Sequence, residues 1–134
     1  MRKAQCTCGQ LSIMVEQDPG TVAICNCTHC QRRTGSVFGV GAYFNRSQIH
    51  KIIGEGKSFR RSSDSGRWVE YNFCPQCGTN VYWSLEIWPE TVGVGVGCFT
   101  DPAFPKPGVA VWSATKYDWV DFPAGCQQLE EQGE

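Results

Sequence analysis

The sequence has no run of about 18 apolar residues, so it offers no membrane-spanning helix. Its charged start, MRKAQCTCGQ, is not followed by the apolar stretch and small-residue cleavage site of a secretory signal, which makes the cytoplasm the expected compartment. A disulfide scaffold is then the wrong reading of nine cysteines, an odd number whose clusters are too tight for easy bridging. An excess of charge is also missing. Twelve Lys and Arg against 13 Asp and Glu leave a formal net charge of -1, so no long-range pull toward nucleic acid or an anionic membrane is expected. Neither a sustained amphipathic helical period nor an internal repeat beyond the cysteine knuckles is present. The 134 residues read as one domain, 1–134, whose polar and acidic end, 127–134, is expected to fray.

What the chain does contain is a series of short strand-like runs divided by turn signals. Leu11 to Val15 precedes the turn Asp18-Pro19-Gly20, and Val22 to Ile24 leads into a cysteine cluster. Gln31 to Thr34 holds one helical turn, with Gly35 placed to end it in the left-handed conformation. Val37 to Phe44, Ile49 to Ile53, Trp68 to Phe73, Thr79 to Ser84 and Val109 to Trp112 complete the strand set. Val92, Val94 and Val96 alternate with Gly93, Gly95 and Gly97, which makes one apolar face and one face without side chains that another group can approach closely. The fold class expected is mainly β: a zinc-stapled antiparallel β fold with at most one or two short helical turns.

Seven cysteines fall into three groups, Cys6-x-Cys8, Cys25-x-Cys27-x-x-Cys30 and Cys74-x-x-Cys77. A structural zinc takes four protein ligands, whereas a zinc that does chemistry commonly takes three and leaves a position for water or substrate. Seven divides into four plus three. Cys6, Cys8, Cys74 and Cys77 are read as the closed site, a clip across more than sixty residues, with Cys-Pro-Gln-Cys-Gly forming a knuckle whose glycine turns the backbone. Cys25, Cys27 and Cys30 are read as the open site; a pairing in which this group borrows one of the other four remains the alternative. Its fourth position falls to water, substrate, His29, Cys98 or Cys126, with His29 expected to point outward and Cys98 and Cys126 to behave as small buried hydrophobes. The spacing fits the usual iron–sulfur patterns poorly.

Two zinc ions are therefore the expected cofactors. Three thiolates leave zinc with a net charge of about -1, a weak Lewis acid and a poor source of hydroxide, better matched to a soft fourth ligand such as a substrate thiolate. Addition of a thiol to a carbonyl, or the reverse cleavage, follows as the reaction class. Arg32 and Arg33 stand ready to bind a carboxylate-bearing substrate or to compensate the anionic centre, and Thr34, Gly35 and Ser36 offer donors that polarise a carbonyl or cap the helical turn.

The segments Cys6-Thr7-Cys8-Gly9, Cys25-Asn26-Cys27-Thr28-His29-Cys30-Gln31-Arg32-Arg33-Thr34-Gly35-Ser36 and Phe73-Cys74-Pro75-Gln76-Cys77-Gly78-Thr79 resemble the glutathione-dependent formaldehyde-activating enzymes, whose domain is shared with centromere-protein-V-like proteins. That resemblance implies a β-tent fold, a structural zinc at Cys6, Cys8, Cys74 and Cys77 and a catalytic zinc at Cys25, Cys27 and Cys30. It also implies a carbon–sulfur lyase whose substrates are a small thiol, glutathione, and an aldehyde, formaldehyde. Two other functions stay open on sequence alone: a non-catalytic module for a protein or chromatin partner, and a redox enzyme like the methionine sulfoxide reductases with Cys98 as nucleophile. The lack of a basic tail weighs against the first, and the lack of an Arg or His beside Cys98 against the second.

Overall fold

The computed structural model describes residues 1–131. Its strands in chain order are β1 (Arg2–Gln5), β2 (Ser12–Val15), β3 (Thr21–Cys25), β4 (Gly39–Asn45), β5 (Ile49–Ile53), β6 (Lys57–Ser62), β7 (Trp68–Phe73), β8 (Asn80–Leu85), β9 (Thr91–Gly95), β10 (Val109–Val111) and β11 (Gln127–Gln128). One α-helix, α1 (Thr28–Thr34), follows β3, and short 3-10 turns cover Arg46–Gln48, Val96–Phe99 and Ser113–Thr115. No helix among these residues is long and apolar enough to cross a membrane.

The strands form two sheets. A small sheet has the order β1-β2-β5, and a large one the order β11-β10-β3-β4-β9-β8-β7-β6. Pairing is antiparallel except at β10, which runs parallel to both β3 and β11. Parallel neighbours need a long crossover, and the irregular segment between β10 and β11 supplies it. The main core lies where the small sheet covers one face of the large one: Ala4, Ile13 and Val15 pack with Ala42, Phe44, Val92 and Val94. Because side chains alternate along a strand, Gly41, Tyr43 and Gly93 face the other way, beside a second cluster of Val69, Trp83 and Leu85. The functional residues collect on that second face.

The strands expected from branched and aromatic residues are present with boundaries shifted by a residue or two. Three others carry too little apolar signal to be read. In β1 only Ala4 is buried, and most of β6, Lys-Ser-Phe-Arg-Arg-Ser, is exposed at the edge of the large sheet. Charged edge strands are a common protection against unwanted pairing, which hides them from a hydrophobic pattern. The expectation of a frayed end needs correction: Gln127 and Gln128 pair with Val109 and Ala110, and the Leu129 N–H donates to the Ala110 carbonyl at 2.9 Å. Residues 132–134 of that stretch lie outside the described residues.

The bare face at Gly93 is filled by one side chain, whereas Gly95 is met by Cys98. Trp83 is directly opposite Gly93 in the β8–β9 register and is only 4% exposed. A Cβ added at Gly93 would fall inside its indole, and one added at Gly41 would lie 2.8 Å from its Cζ2. Gly97 does not belong to this face, because the strand gives way to the 3-10 turn at Val96. Gly93→Ala is expected to cost about 1–3 kcal/mol through overpacking and to shift the tryptophan emission. An unchanged melting temperature and spectrum would show that the indole does not need the slot.

Candidate functional site

The closed cluster is built from two similar loops. After β1, the Gly9 N–H donates to the Cys6 carbonyl at 3.1 Å, and after β7 the Gly78 N–H donates to the Cys74 carbonyl at 2.8 Å. Both glycines have positive φ, 84° and 80°, a conformation that suits glycine and lets each loop wrap its sulfurs inward. The Thr7 and Thr79 hydroxyls join the loops at 3.0 Å. The Cys6, Cys8, Cys74 and Cys77 sulfurs all lie within 4.8 Å of one another. Cys6 to Cys8 is 3.6 Å and Cys8 to Cys74 is 3.7 Å. Those spacings match the edge of about 3.8 Å for a tetrahedron with zinc–sulfur bonds near 2.3 Å.

Donors surround these sulfurs as thiolates require. The Leu11 N–H approaches Cys6 Sγ at 3.3 Å, while the Gln76 N–H and Gln10 Nε2 reach Cys74 Sγ at 3.4 and 3.0 Å. The Thr79 hydroxyl and N–H hold the Cys77 thiol down, to about 5. The chemistry of this donor set fits zinc.

The second cluster is assembled where β3 runs into α1. Cys25 ends the strand, Cys27 is the residue before the helix, and Cys30 lies three positions on, on the same face as Cys27. The Cys30 N–H donates to Cys27 Sγ at 3.3 Å, so one sulfur is both a candidate ligand and the N-terminal cap of α1. Capping is normally read from Ser, Thr, Asp or Asn, which is why the helix starts earlier than its sequence signals, at Thr28. Its other end is as expected: Gly35 has φ 69°, and its N–H donates to the Gln31 carbonyl at 2.8 Å.

The three sulfurs lie within 4.8 Å of one another, and among the described residues no other His, Cys, Asp or Glu joins them. His29 is not within ligand reach of the trio; it lines the same cavity with its Nε2 3.1 Å from Asp64 Oδ1. Cys98 Sγ contacts the Asn80 carbonyl at 3.7 Å in a different groove, and burial pushes its thiol up to about 11, which makes it a poor redox nucleophile. Cys126 is part-exposed near the C-terminal strand. Within the trio, hydrogen bonds from Cys25 and Cys27 and then the nearby Arg33 charge hold Cys30 down to about 2. Hydrogen bonds with Cys27 and Cys30 and then burial push Cys25 up, and Cys27 is raised as well. A cation held by the three sulfurs would displace those protons, and this donor set also fits zinc.

The trio opens into a cavity of about 80 Å³ whose other walls include His29, Arg33, Tyr43, Arg61, Asp64, Tyr71 and Trp83. A water needs roughly 10–15 Å³ on this measure, so the space takes a few waters or one short chain of atoms and excludes a tripeptide. Of the three residues expected to meet substrate, Arg33 lines this cavity, whereas Arg32 and Ser36 are exposed and do not. Successive helical residues differ by about 100° in direction, so adjacent arginines cannot both face the sulfurs. The Arg33 guanidinium carbon is 4.6 Å from the centre of the Trp83 ring and 5.7 Å from that of Tyr71. The glycine slot that seats Trp83 therefore also positions Arg33. The Thr34 hydroxyl donates to the Cys30 carbonyl at 2.8 Å and accepts from the Ser36 N–H at 3.0 Å, a local capping role.

Sequence reading missed Tyr43, Arg61, Tyr71 and Trp83, which come from strands far from the cysteines in the chain. The glycine alternation was the only trace of them, since it marks where Trp83 lies.

Comparisons with known proteins agree with this construction. The family described as "Glutathione-dependent formaldehyde-activating enzyme" matches residues 1–115. No curated protein matches the chain. A crystal structure of a Rhodobacter sphaeroides protein superposes with a TM-score of 0.59 at 23% identity, covering 75% of this chain and 91% of that one. At that identity the likeness is one of fold.

Proposed function

This chain belongs to the glutathione-dependent formaldehyde-activating enzyme family, and from that premise we propose that it makes and breaks thiol–aldehyde adducts such as S-hydroxymethylglutathione. In this reading it is a zinc-dependent carbon–sulfur lyase of the cytoplasm with a β-tent fold. Cys6, Cys8, Cys74 and Cys77 hold a structural zinc, and Cys25, Cys27 and Cys30 hold a catalytic one. The observation that carries the proposal is the difference between the clusters: four sulfurs clipped between two loops, and three that line a cavity.

Zinc bound by the three cysteines would favour the thiolate form of a substrate thiol over its protonated form. The chain's own residues supply the rest. Arg33 places a permanent positive charge beside sulfurs that are collectively negative, and the ring of Trp83 fixes that guanidinium in place. Tyr43, Tyr71 and Trp83 exclude bulk water, which keeps the thiolate desolvated and nucleophilic toward a small carbonyl. The cavity admits only the thiol end of glutathione and a formaldehyde-sized aldehyde; the remaining peptide lies outside it. Substrate contact is assigned to Arg33, and Arg32 and Ser36 are left out.

The test is the exchange rate between formaldehyde and S-hydroxymethylglutathione, followed by magnetisation-transfer NMR with zinc-loaded protein. A rate well above the spontaneous one is expected. Arg33→Ala should lower that rate by roughly 10–100-fold, as loss of a charged contact worth about 1.5–3 kcal/mol would, while Arg32→Ala stays within two-fold. A spontaneous rate with fully loaded protein would remove the proposal.

A further inference from the structure

Addition of a thiolate to an aldehyde leaves negative charge on oxygen, and cysteine sulfurs holding zinc would have no proton to give it. A donor has to come from another wall of the cavity. Arginine does not release protons in proteins, and His29, which also lines the cavity, has its Nε2 held by the Asp64 carboxylate at 3.1 Å. Two phenols remain, Tyr43 and Tyr71. Tyr43 is packed edge-on against Trp83 and Trp88, with ring centres 6.2 and 6.4 Å away, and its burial disfavours the phenolate that proton transfer would leave.

Tyr71 differs in having a cation bonded to its oxygen. Arg61 Nε–H donates to its hydroxyl oxygen at 2.5 Å, and the Arg61 and Arg33 guanidinium carbons lie 5.3 and 5.7 Å from its ring centre. Burial raises its proton affinity, whereas the Arg61 hydrogen bond and charge act against that rise. The geometry is built by the sheet: Arg61 on β6 opposes Val69 on β7, which makes Tyr71 its diagonal neighbour. The Tyr71 oxygen already accepts from Arg61, and among the described residues nothing accepts the Tyr71 proton. That proton is left to whatever occupies the cavity.

We propose that Tyr71, charge-assisted by Arg61, is the proton-transfer residue of the thiol–aldehyde reaction; this rests on the function proposed above. The thiol loses its proton to solvent on binding. Its sulfur then forms the bond to the aldehyde carbon as the carbonyl π pair moves to oxygen, and that oxygen takes the Tyr71 proton. The tyrosinate, stabilised by the Arg61 N–H, regains a proton from water. In cleavage Tyr71 first gives its proton to water; the tyrosinate then removes the hydroxyl proton of the adduct, the carbonyl re-forms and the carbon–sulfur bond breaks, and the departing thiolate takes a proton from solvent.

Tyr71→Phe and Arg61→Gln, each checked for melting temperature and zinc content, are compared with the parent by the same NMR exchange at saturating glutathione and formaldehyde. General acid–base groups contribute roughly 10²–10⁴-fold, so Tyr71→Phe should lower kcat by at least about 10²-fold and Arg61→Gln by about 10-fold. Glutathione affinity, read from the visible spectrum of cobalt-substituted protein, should stay within three-fold in both. Imidazolium buffer should restore part of the Tyr71→Phe rate and leave the parent unaffected, which a structural role for the phenol would not produce. A Tyr71→Phe enzyme within three-fold of an active parent overturns the assignment and leaves the proposed function standing. So does a variant whose glutathione affinity collapses along with its rate. A parent no faster than the spontaneous reaction removes both.

Discussion

Cys74→Ser is expected to lower the melting temperature by more than about 15 °C, with the zinc content falling by one per chain. The four sulfurs of its site join the turn after β1 to the turn after β7, tying together segments 66 residues apart along the chain at Cys8 and Cys74. Without metal, that junction is left with hydrogen bonds such as those of Thr7 to Thr79 and of Gln10 to Cys74, and with four crowded sulfurs. Metal affinity of a site that the unfolded chain lacks appears directly as folding free energy, on the order of 10 kcal/mol for small zinc modules. Native domains have about 5–15 kcal/mol in total, so even half of that contribution is a large share. The loss also leaves Cys6, 2% exposed, buried without its compensating charge. Thermal unfolding followed by circular dichroism decides the matter: a shift below about 3 °C with zinc gone would show that the two sheets hold without the clip.

Cys27→Ser is expected to reduce formaldehyde–glutathione exchange to the spontaneous rate, a loss of 10³-fold or more if the parent is an ordinary enzyme, while most of the thermal stability remains. The separation follows from the double role of this side chain. Its sulfur caps α1 by accepting the Cys30 N–H, and serine is among the best residues at that position. The helix keeps its cap. The metal site loses one of only three sulfurs, and the hydroxyl is a far weaker zinc ligand than a thiolate. Zinc per chain should fall from two toward one, and the remaining ion should resist exchange with excess glutathione. Catalysis that survives in Cys27→Ser would place the chemistry elsewhere in the chain.

Both effects concern residues whose importance is legible without coordinates. Cysteine spacings of one or two residues report local loops, and a knuckle such as Cys74-Pro75-Gln76-Cys77-Gly78 folds the same way wherever its metal is. The Gly35 helix end and the strands rich in valine, isoleucine and aromatics were likewise readable, because each is fixed by residues within a few positions of one another. β1, β6 and β11 escaped for the opposite reason. They are short or polar, and only pairing with a neighbour makes them strands.

The sequence by itself therefore determined the family, the mainly β class and the division of seven cysteines into a group of four and a group of three. Ligand chemistry and backbone turns act over short stretches of chain, and one strand of text is enough to record them. The tertiary structure alone decided what surrounds the three sulfurs: that Arg33 and not Arg32 faces them, that Trp83 occupies the glycine slot, and that Arg61 reaches Tyr71 across two strands. Period-two patterning tells which face a residue takes but not which strand lies beside it. The cavity walls come from α1, β3, β4, β6, β7, β8 and β10, and only the order in which the large sheet is hydrogen-bonded brings them to one place.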